Sequence, residues 1–411
     1  TAETTAGLKR LNVPSAWAYS RGANASIAVL DSGVDPNHPD IEFDASNWND
    51  WYPNGTQRAT TPRDYGSHGT HVTGIAVGGN ASGTAIGVAP EAELYVGAAL
   101  TTDCDTKCQG TIAQLLAGMQ WAVEKDVDVI SMSVGGTDET DNYIDRTADA
   151  VRNATDAGTV VVAAAGNRGS GNTTSPGNVY DAISVGASRS DDTVAGFSSS
   201  DTVRADEWDS PPADWPTRYI VPTVVAPGVN IRSSVPNGEY GRLSGTSQAT
   251  PHVAGTVALM RSVRPELSPE RIESTLAATA VDVGAARTRQ GAGRIDAAAA
   301  VAAVAPQVQL TNVALSPTTV SETPANYTLT ATAANVSDDG RPDTITVSLP
   351  PSLIIVDTNE FTAVDTTGRS VPVINTTVTN ETDLRAVINP DTDAAVRDLT
   401  LTARFEARQA I

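Results

Sequence analysis

The chain has 411 residues, with 48 Asp and Glu against 27 Lys and Arg and a formal net charge of −21. That excess of carboxylates excludes nucleic acid as a partner, and the length suffices for two or three domains with a large core. No run is long and apolar enough to span a bilayer, and Thr1 opens a polar stretch without the basic-then-apolar pattern of a secretory signal, as in a processed or trimmed chain.

Leu8–Gly22 reads as an opening segment with one short helix near Pro14. Ser26–Leu30 (S-I-A-V-L) is the continuous apolar run of a strand buried on both faces. It ends at Asp31-Ser32-Gly33, where a carboxylate at a buried strand end needs a partner. Asp64–Gly74 (D-Y-G-S-H-G-T-H-V-T-G) puts His68 where a loop turns into a small-residue helix. Glu93–Ala99 predicts another strand, and Thr111–Lys125 a helix with Ile112, Leu115, Leu116, Met119 and Val123 on its inner face. Between them, Cys104 and Cys108 are spaced for a small disulfide loop, with no nearby His or further Cys to complete a metal site. Outside the cell a bridge is the expected state.

Val127–Ser133, Thr159–Ala165 and Ala182–Ala187 read as strands, with Tyr143–Ala157 as a helix and Gly166-Asn167 as a turn. The insert Asp201–Trp215 is acidic with two tryptophans; it reads as a solvated loop, or else as a cation site or a rim. Ser244–Gly255 (S-G-T-S-Q-A-T-P-H-V-A-G) places Ser247 where a helix begins, with its hydroxyl at the positive end of the helix dipole. Ser268-Pro269 caps a further helix to about Thr279.

Alternating buried strands and helices predict an α/β fold with a mostly parallel sheet, whose sites lie at the carboxyl ends of the strands. The alternation stops near Val304. Leu310–Leu315, Tyr327–Ala334, Thr344–Leu349, Ser370–Val378 and Leu399–Phe405 then read as strands of a small all-β, sandwich-like domain. Two domains follow, 1–304 and 305–411. Asn326-Tyr327-Thr328 and Asn375-Thr376-Thr377 are glycosylation sequons.

Three motifs, A-V-L-D-S-G-V around Asp31, H-G-T-H-V-T-G from His68 and G-T-S-Q-A-T-P-H from Gly245, resemble those of the subtilisin-like serine peptidases. A-A-A-G-N, ending at Asn167, falls between the second and third as in that family. The resemblance implies a subtilisin-like fold over about Ala6–Val304 and a secreted endopeptidase acting on polypeptides. In it, Ser247 is the nucleophile, His68 the general base and Asp31 the residue that orients the imidazole. Asn167 and the Ser247 N–H would hold the oxyanion. His71 and His252 are read as structural. By the same match, Gln109-Gly110 and Ser133-Val134-Gly135 form the substrate-pairing edges, Ala164 and Gly166 line the first specificity pocket, and Ser175-Pro176-Gly177 holds a cis proline.

No cofactor is required for the chemistry. A structural calcium is matched at Asp40, within His38-Pro39-Asp40, but the companion loop Gly78–Gly87 carries Ala81 where an amide oxygen belongs, so Asp40 is either a ligand or an ordinary turn residue. Abundant acid and scarce lysine resemble the secreted, halolysin-like members from salt-loving archaea. Residues 305–411 are read as an accessory module for cell-surface or matrix contact. The rival readings are a narrow processing peptidase and an inert cell-surface binding protein.

Overall fold

The computed structural model describes residues 3–105, 107–136 and 143–305, and beyond them the strands lying between 309 and 409. It divides into two compact units, Thr1–Val304 and Ala305–Ile411.

In the first unit one seven-stranded sheet runs in the order Val224–Pro227, Ile183–Ser188, Val160–Ala164, Val129–Met132, Ser26–Asp31, Glu93–Ala98, Trp48–Asp50. Every pairing is parallel. The two faces have separate cores. Ile27 and Val29 enter one with Val253 and Val257 of the helix Thr246–Val263, while Ala28 and Leu30 enter the other with Met119 and Val151. A strand covered on both sides has no polar face, which is why these strands read as unbroken apolar runs. Trp48–Asp50 and Val224–Pro227 are too short to give that signal.

The Asp31 strand is flanked by Glu93–Ala98 on one side and Val129–Met132 on the other. The chain changes direction across the sheet here, so the carboxyl ends part to form a crevice. Helices His68–Val77 and Thr246–Val263 bring their amino ends to the site.

The helix predicted from Thr111 spans Ile112–Glu124, closed by a capping box between Thr111 and Gln114. Its buried residues are Gln114, Gly118, Met119, Trp121 and Ala122; of the face that periodicity suggests, Met119 is buried and Leu115 and Val123 pack, partly buried, against the same core. The Gln114 amide donates to the Trp51 carbonyl and Thr101 Oγ1 at 2.9 and 2.8 Å, and Gly118 admits Leu30 and Trp51. Satisfied polar and small residues thus turn inward.

The insert also departs from its reading as a solvated loop. Asp201–Arg204 pairs antiparallel with Arg218–Val221, and Trp208 and Trp215 are buried. Pro236-Asn237-Gly238 joins a hairpin of Ile231–Val235 and Glu239–Leu243; Asn237 and Gly238 supply the positive φ (70° each) that the turn requires.

The second unit has an antiparallel five-stranded sheet and an antiparallel three-stranded sheet. Tyr327, Leu329 and Ala331 alternate inward against Leu401, Ala403 and Phe405, the period-two pattern of half-buried strands. Leu353–Asp365 escapes the sequence reading because register shifts after Ile355 and Thr358 break its alternation. Asp383–Ile388 is a further unanticipated strand.

Candidate active site

Asp31 closes its strand with no exposed surface. The Ser32 N–H donates to its Oδ1 at 2.7 Å, and His68 Nδ1 stands 2.8 and 3.0 Å from its two oxygens. A buried carboxylate so placed fixes the ring with Nδ1 protonated and Nε2 as the basic atom. Burial opposes charge on His68, but the Asp31 carboxylate and its hydrogen bond, with Asp64 beyond, outweigh it and raise the imidazole pKa above 6.5.

Asp64 is a residue the sequence reading did not single out. Its Oδ1 accepts from Ser32 Oγ (2.7 Å) and the Gly66 N–H (3.0 Å); its Oδ2 accepts from the Thr70 N–H (2.7 Å) and hydroxyl (2.6 Å). One carboxylate therefore ties the residue after Asp31 to the first turn of the His68 helix, where negative charge also suits the helix dipole.

Ser247 is the second residue of Thr246–Val263. Pro251 lies four residues on and has no N–H to give the Ser247 carbonyl. Ser133 Oγ donates to that carbonyl instead, at 2.7 Å, and Ser247 Oγ donates to the Ser133 carbonyl at 3.0 Å. The strand end and the helix start are thereby fastened together. His68 Nε2 faces the same helix start, with the Gln248 amide nitrogen 3.5 Å away.

Asn167 Oδ1 accepts from the Thr246 N–H and hydroxyl at 2.9 and 3.1 Å. A backbone N–H accepts nothing, so this end of the amide must be oxygen. The NH2 end is the one Thr246 leaves free. Gly166 provides the turn before it at φ 108°.

Among the expected cleft residues, Ser133 and Val134 are buried while Gly135 is exposed, and Ala164 ends the strand leading to Gly166. Gln109 exchanges both backbone hydrogen bonds with Thr102, at 2.7 and 3.0 Å, and Gly110 follows it. Cys104 and Cys108 are bridged, and Cys108 Sγ lies 2.8 Å from where a Cβ on Gly66 would stand, so the loop packs beside the segment leading to His68. The Ser175–Pro176 bond is cis.

Asp40 is not brought to this site. Its Oδ1 accepts from the Ala81 N–H and its Oδ2 from Tyr240 Oη at 2.7 Å. Both oxygens thus face protein donors, and no group of three or more His, Cys, Asp or Glu fit to hold a metal occurs among the described residues. In this structure Asp40 acts as a loop tie. His71 and His252 are buried, which pushes each down to about 4. Each meets a backbone carbonyl, His71 Nε2 that of Ile231 at 3.1 Å and His252 Nδ1 that of Gln248 at 2.9 Å. They are neutral parts of the frame.

The subtilase family model matches residues 22–293. The chain belongs to the subtilase family. It is 36% identical over 284 residues to Subtilisin E of Bacillus subtilis (strain 168), an alignment covering 68% of this chain and 66% of that protein. Subtilisin of Bacillus pumilus is 36% identical over 284 residues, 68% of this chain and 92% of its own. The Major intracellular serine protease of Bacillus subtilis (strain 168) is 33% identical over 302 residues, 71% of this chain and 87% of its own. The chain thus aligns with just under two thirds of the length of Subtilisin E, and no helix among its described residues is long and apolar enough to cross a membrane.

Proposed function

We propose that this chain is a secreted serine endopeptidase in which Asp31, His68 and Ser247 form the catalytic triad. The supporting observation is the pairing of buried Asp31 with His68 Nδ1, which leaves Nε2 directed at the start of the helix that carries Ser247. Rotation about the Ser247 Cα–Cβ bond takes Oγ from the Ser133 carbonyl toward His68. His68 Nε2 removes the hydroxyl proton as Oγ attacks the scissile carbonyl. Asp31 stabilises the imidazolium without taking its proton. The carbonyl oxygen, now negative, receives hydrogen bonds from the Asn167 amide and the Ser247 N–H. His68 returns the proton to the departing amine, and water repeats the sequence to release the acyl group.

Polypeptides are the substrates, paired main chain to main chain along Gly110 and Ser133–Gly135. The chemistry uses no cofactor. The Cys104–Cys108 bridge supports an extracellular setting, and residues 305–411 serve surface or matrix contact. The test is incubation with a serine-directed fluorophosphonate and, separately, a denatured protein. Label on Ser247 together with new cut sites is expected, and Ser247→Ala abolishes both while the fold persists. Full hydrolysis by Ser247→Ala would overturn the assignment.

A further inference from the structure

The triplet Asn-x-Ser/Thr occurs five times in the first unit, at Asn24, Asn54, Asn80, Asn153 and Asn172. On a folded surface such a triplet can take a sugar where the amide nitrogen is accessible and the hydroxyl two residues on can reach the asparagine. Four of the five do not meet this. Ser26 Oγ donates to Asp128 Oδ2 at 3.1 Å and Ser82 Oγ to the Thr84 carbonyl at 3.2 Å, so the hydroxyls that follow Asn24 and Asn80 are engaged elsewhere. Asn153 lies inside the helix Asp145–Asp156, where Thr155 Oγ1 donates to the Arg152 carbonyl at 3.0 Å. Asn172 Nδ2 donates to the Arg168 and Ser170 carbonyls at 3.3 and 3.2 Å, and Thr174 is buried. In the second unit Asn326 and Asn375 lie in strands, paired with Glu406 and Val387, while Asn335 and Asn380 fall outside the described residues.

Asn54 is different. It is exposed in the turn Tyr52-Pro53-Asn54-Gly55-Thr56. The Gly55 N–H donates to the Tyr52 carbonyl and the Tyr52 N–H to the Thr56 carbonyl, both at 2.8 Å, and Gly55 supplies a φ of 83°. Thr111 Oγ1 anchors the turn by donating to the Pro53 carbonyl at 2.5 Å. Asn54 Oδ1 accepts from the Thr56 N–H at 3.1 Å and from the Thr56 hydroxyl. The amide oxygen is thus held against Thr56, and Nδ2 makes no hydrogen bond among the described residues.

Tyr52 stands two residues before Asn54 and is 50% exposed, with the Arg58 guanidinium over one face of its ring at 4.6 Å. The electron-rich face of an aromatic ring attracts the C–H face of a pyranose. An exposed ring beside a free asparagine amide is therefore a platform for a sugar.

We propose that Asn54 is an N-glycosylation site whose first sugar rests on Tyr52. The donor is a polyprenyl diphosphate-linked oligosaccharide. Asn54 Nδ2 bonds to the anomeric carbon, and the bond from that carbon to phosphate oxygen breaks, leaving its electron pair on the diphosphate. The amide proton passes to a base of the transferase. The site does not depend on the catalytic assignment; it rests on the proposed extracellular setting.

The experiment uses the full chain carrying Ser247→Ala, so that self-cleavage cannot blur the result. The folded protein is incubated with a purified oligosaccharyltransferase specific for Asn-x-Ser/Thr and its lipid-linked donor, and glycopeptide mass spectrometry reads each triplet. Glycan is expected at Asn54 with little elsewhere, and Asn54→Gln should lose it. Synthetic peptides spanning Asn24, Asn54 and Asn80 should be accepted alike, which locates the selection in the fold. In the NMR spectrum of the glycosylated protein, ring protons of the first sugar should shift upfield, and Tyr52→Leu should abolish that shift.

An unmodified Asn54 in the folded chain, or equal occupancy at Asn80, overturns the site. Peptides that reproduce the preference for Asn54 overturn the role of the fold. A glycan without the upfield shift overturns the platform on Tyr52.

Discussion

Replacing Ser133 by alanine tests the fastening between the strand end and the start of the Ser247 helix. Pro251 leaves the Ser247 carbonyl without its helical partner, and Ser133 Oγ at 2.7 Å supplies one. Removing the hydroxyl leaves an acceptor unpaired at the head of a largely buried helix, at a cost of about 1–3 kcal/mol. For a unit of this size about 2 °C accompanies each kcal/mol, so Tm should fall by about 2–6 °C. The decisive comparison repeats the change in a Pro251→Ala background, where the restored N–H of residue 251 can take the Ser247 carbonyl. There Ser133→Ala should cost about 1 kcal/mol less. Denaturant melts of all four proteins, each also carrying His68→Ala to suppress autolysis, give the cycle. Equal costs in the two backgrounds, within about 0.5 kcal/mol, would show that the carbonyl never depended on Ser133.

The proposed mechanism needs His68 neutral, and its pKa is raised above 6.5, so kcat/KM should rise with pH through a limb lying above 6.5; Asp64→Asn removes one of the charges that raise it, so the limb should move to lower pH, and an unmoved limb would dismiss Asp64. Reduction of Cys104–Cys108 should raise KM severalfold while lowering Tm by no more than a few degrees, since the closed loop is short; a large Tm fall at constant KM would contradict this. With a net charge of −21, self-repulsion should weaken as the screening length falls to about 3 Å at 1 M salt. Tm and turnover should then rise into molar salt, and a flat or falling Tm counts against the halophilic reading.

Much of the α/β unit was legible because a strand buried on both faces cannot alternate. Ser26–Leu30 and Val160–Ala164 therefore stand out as apolar runs, with Asp31 at the end of one and Asn167 shortly beyond the other. Ser247 and His68 were readable from glycine-bearing turns that lead into small-residue helices. Where local pattern and packing disagreed, packing prevailed. Gln114 turned inward because Trp51 and Thr101 satisfy its amide, and Trp208 and Trp215 left solvent because Tyr143, Tyr180 and Tyr219 gave them a wall.

The order of the sheet, the hydrogen bond from Ser32 to Asp64 and the exchange between Ser133 and Ser247 all join residues distant in the chain. Sequence by itself determined which polar residues stand at strand ends and helix starts, since apolar-run, turn and capping signals are local. Only tertiary structure decided which carbonyl each hydroxyl meets, because that depends on the distance between segments that no local pattern encodes.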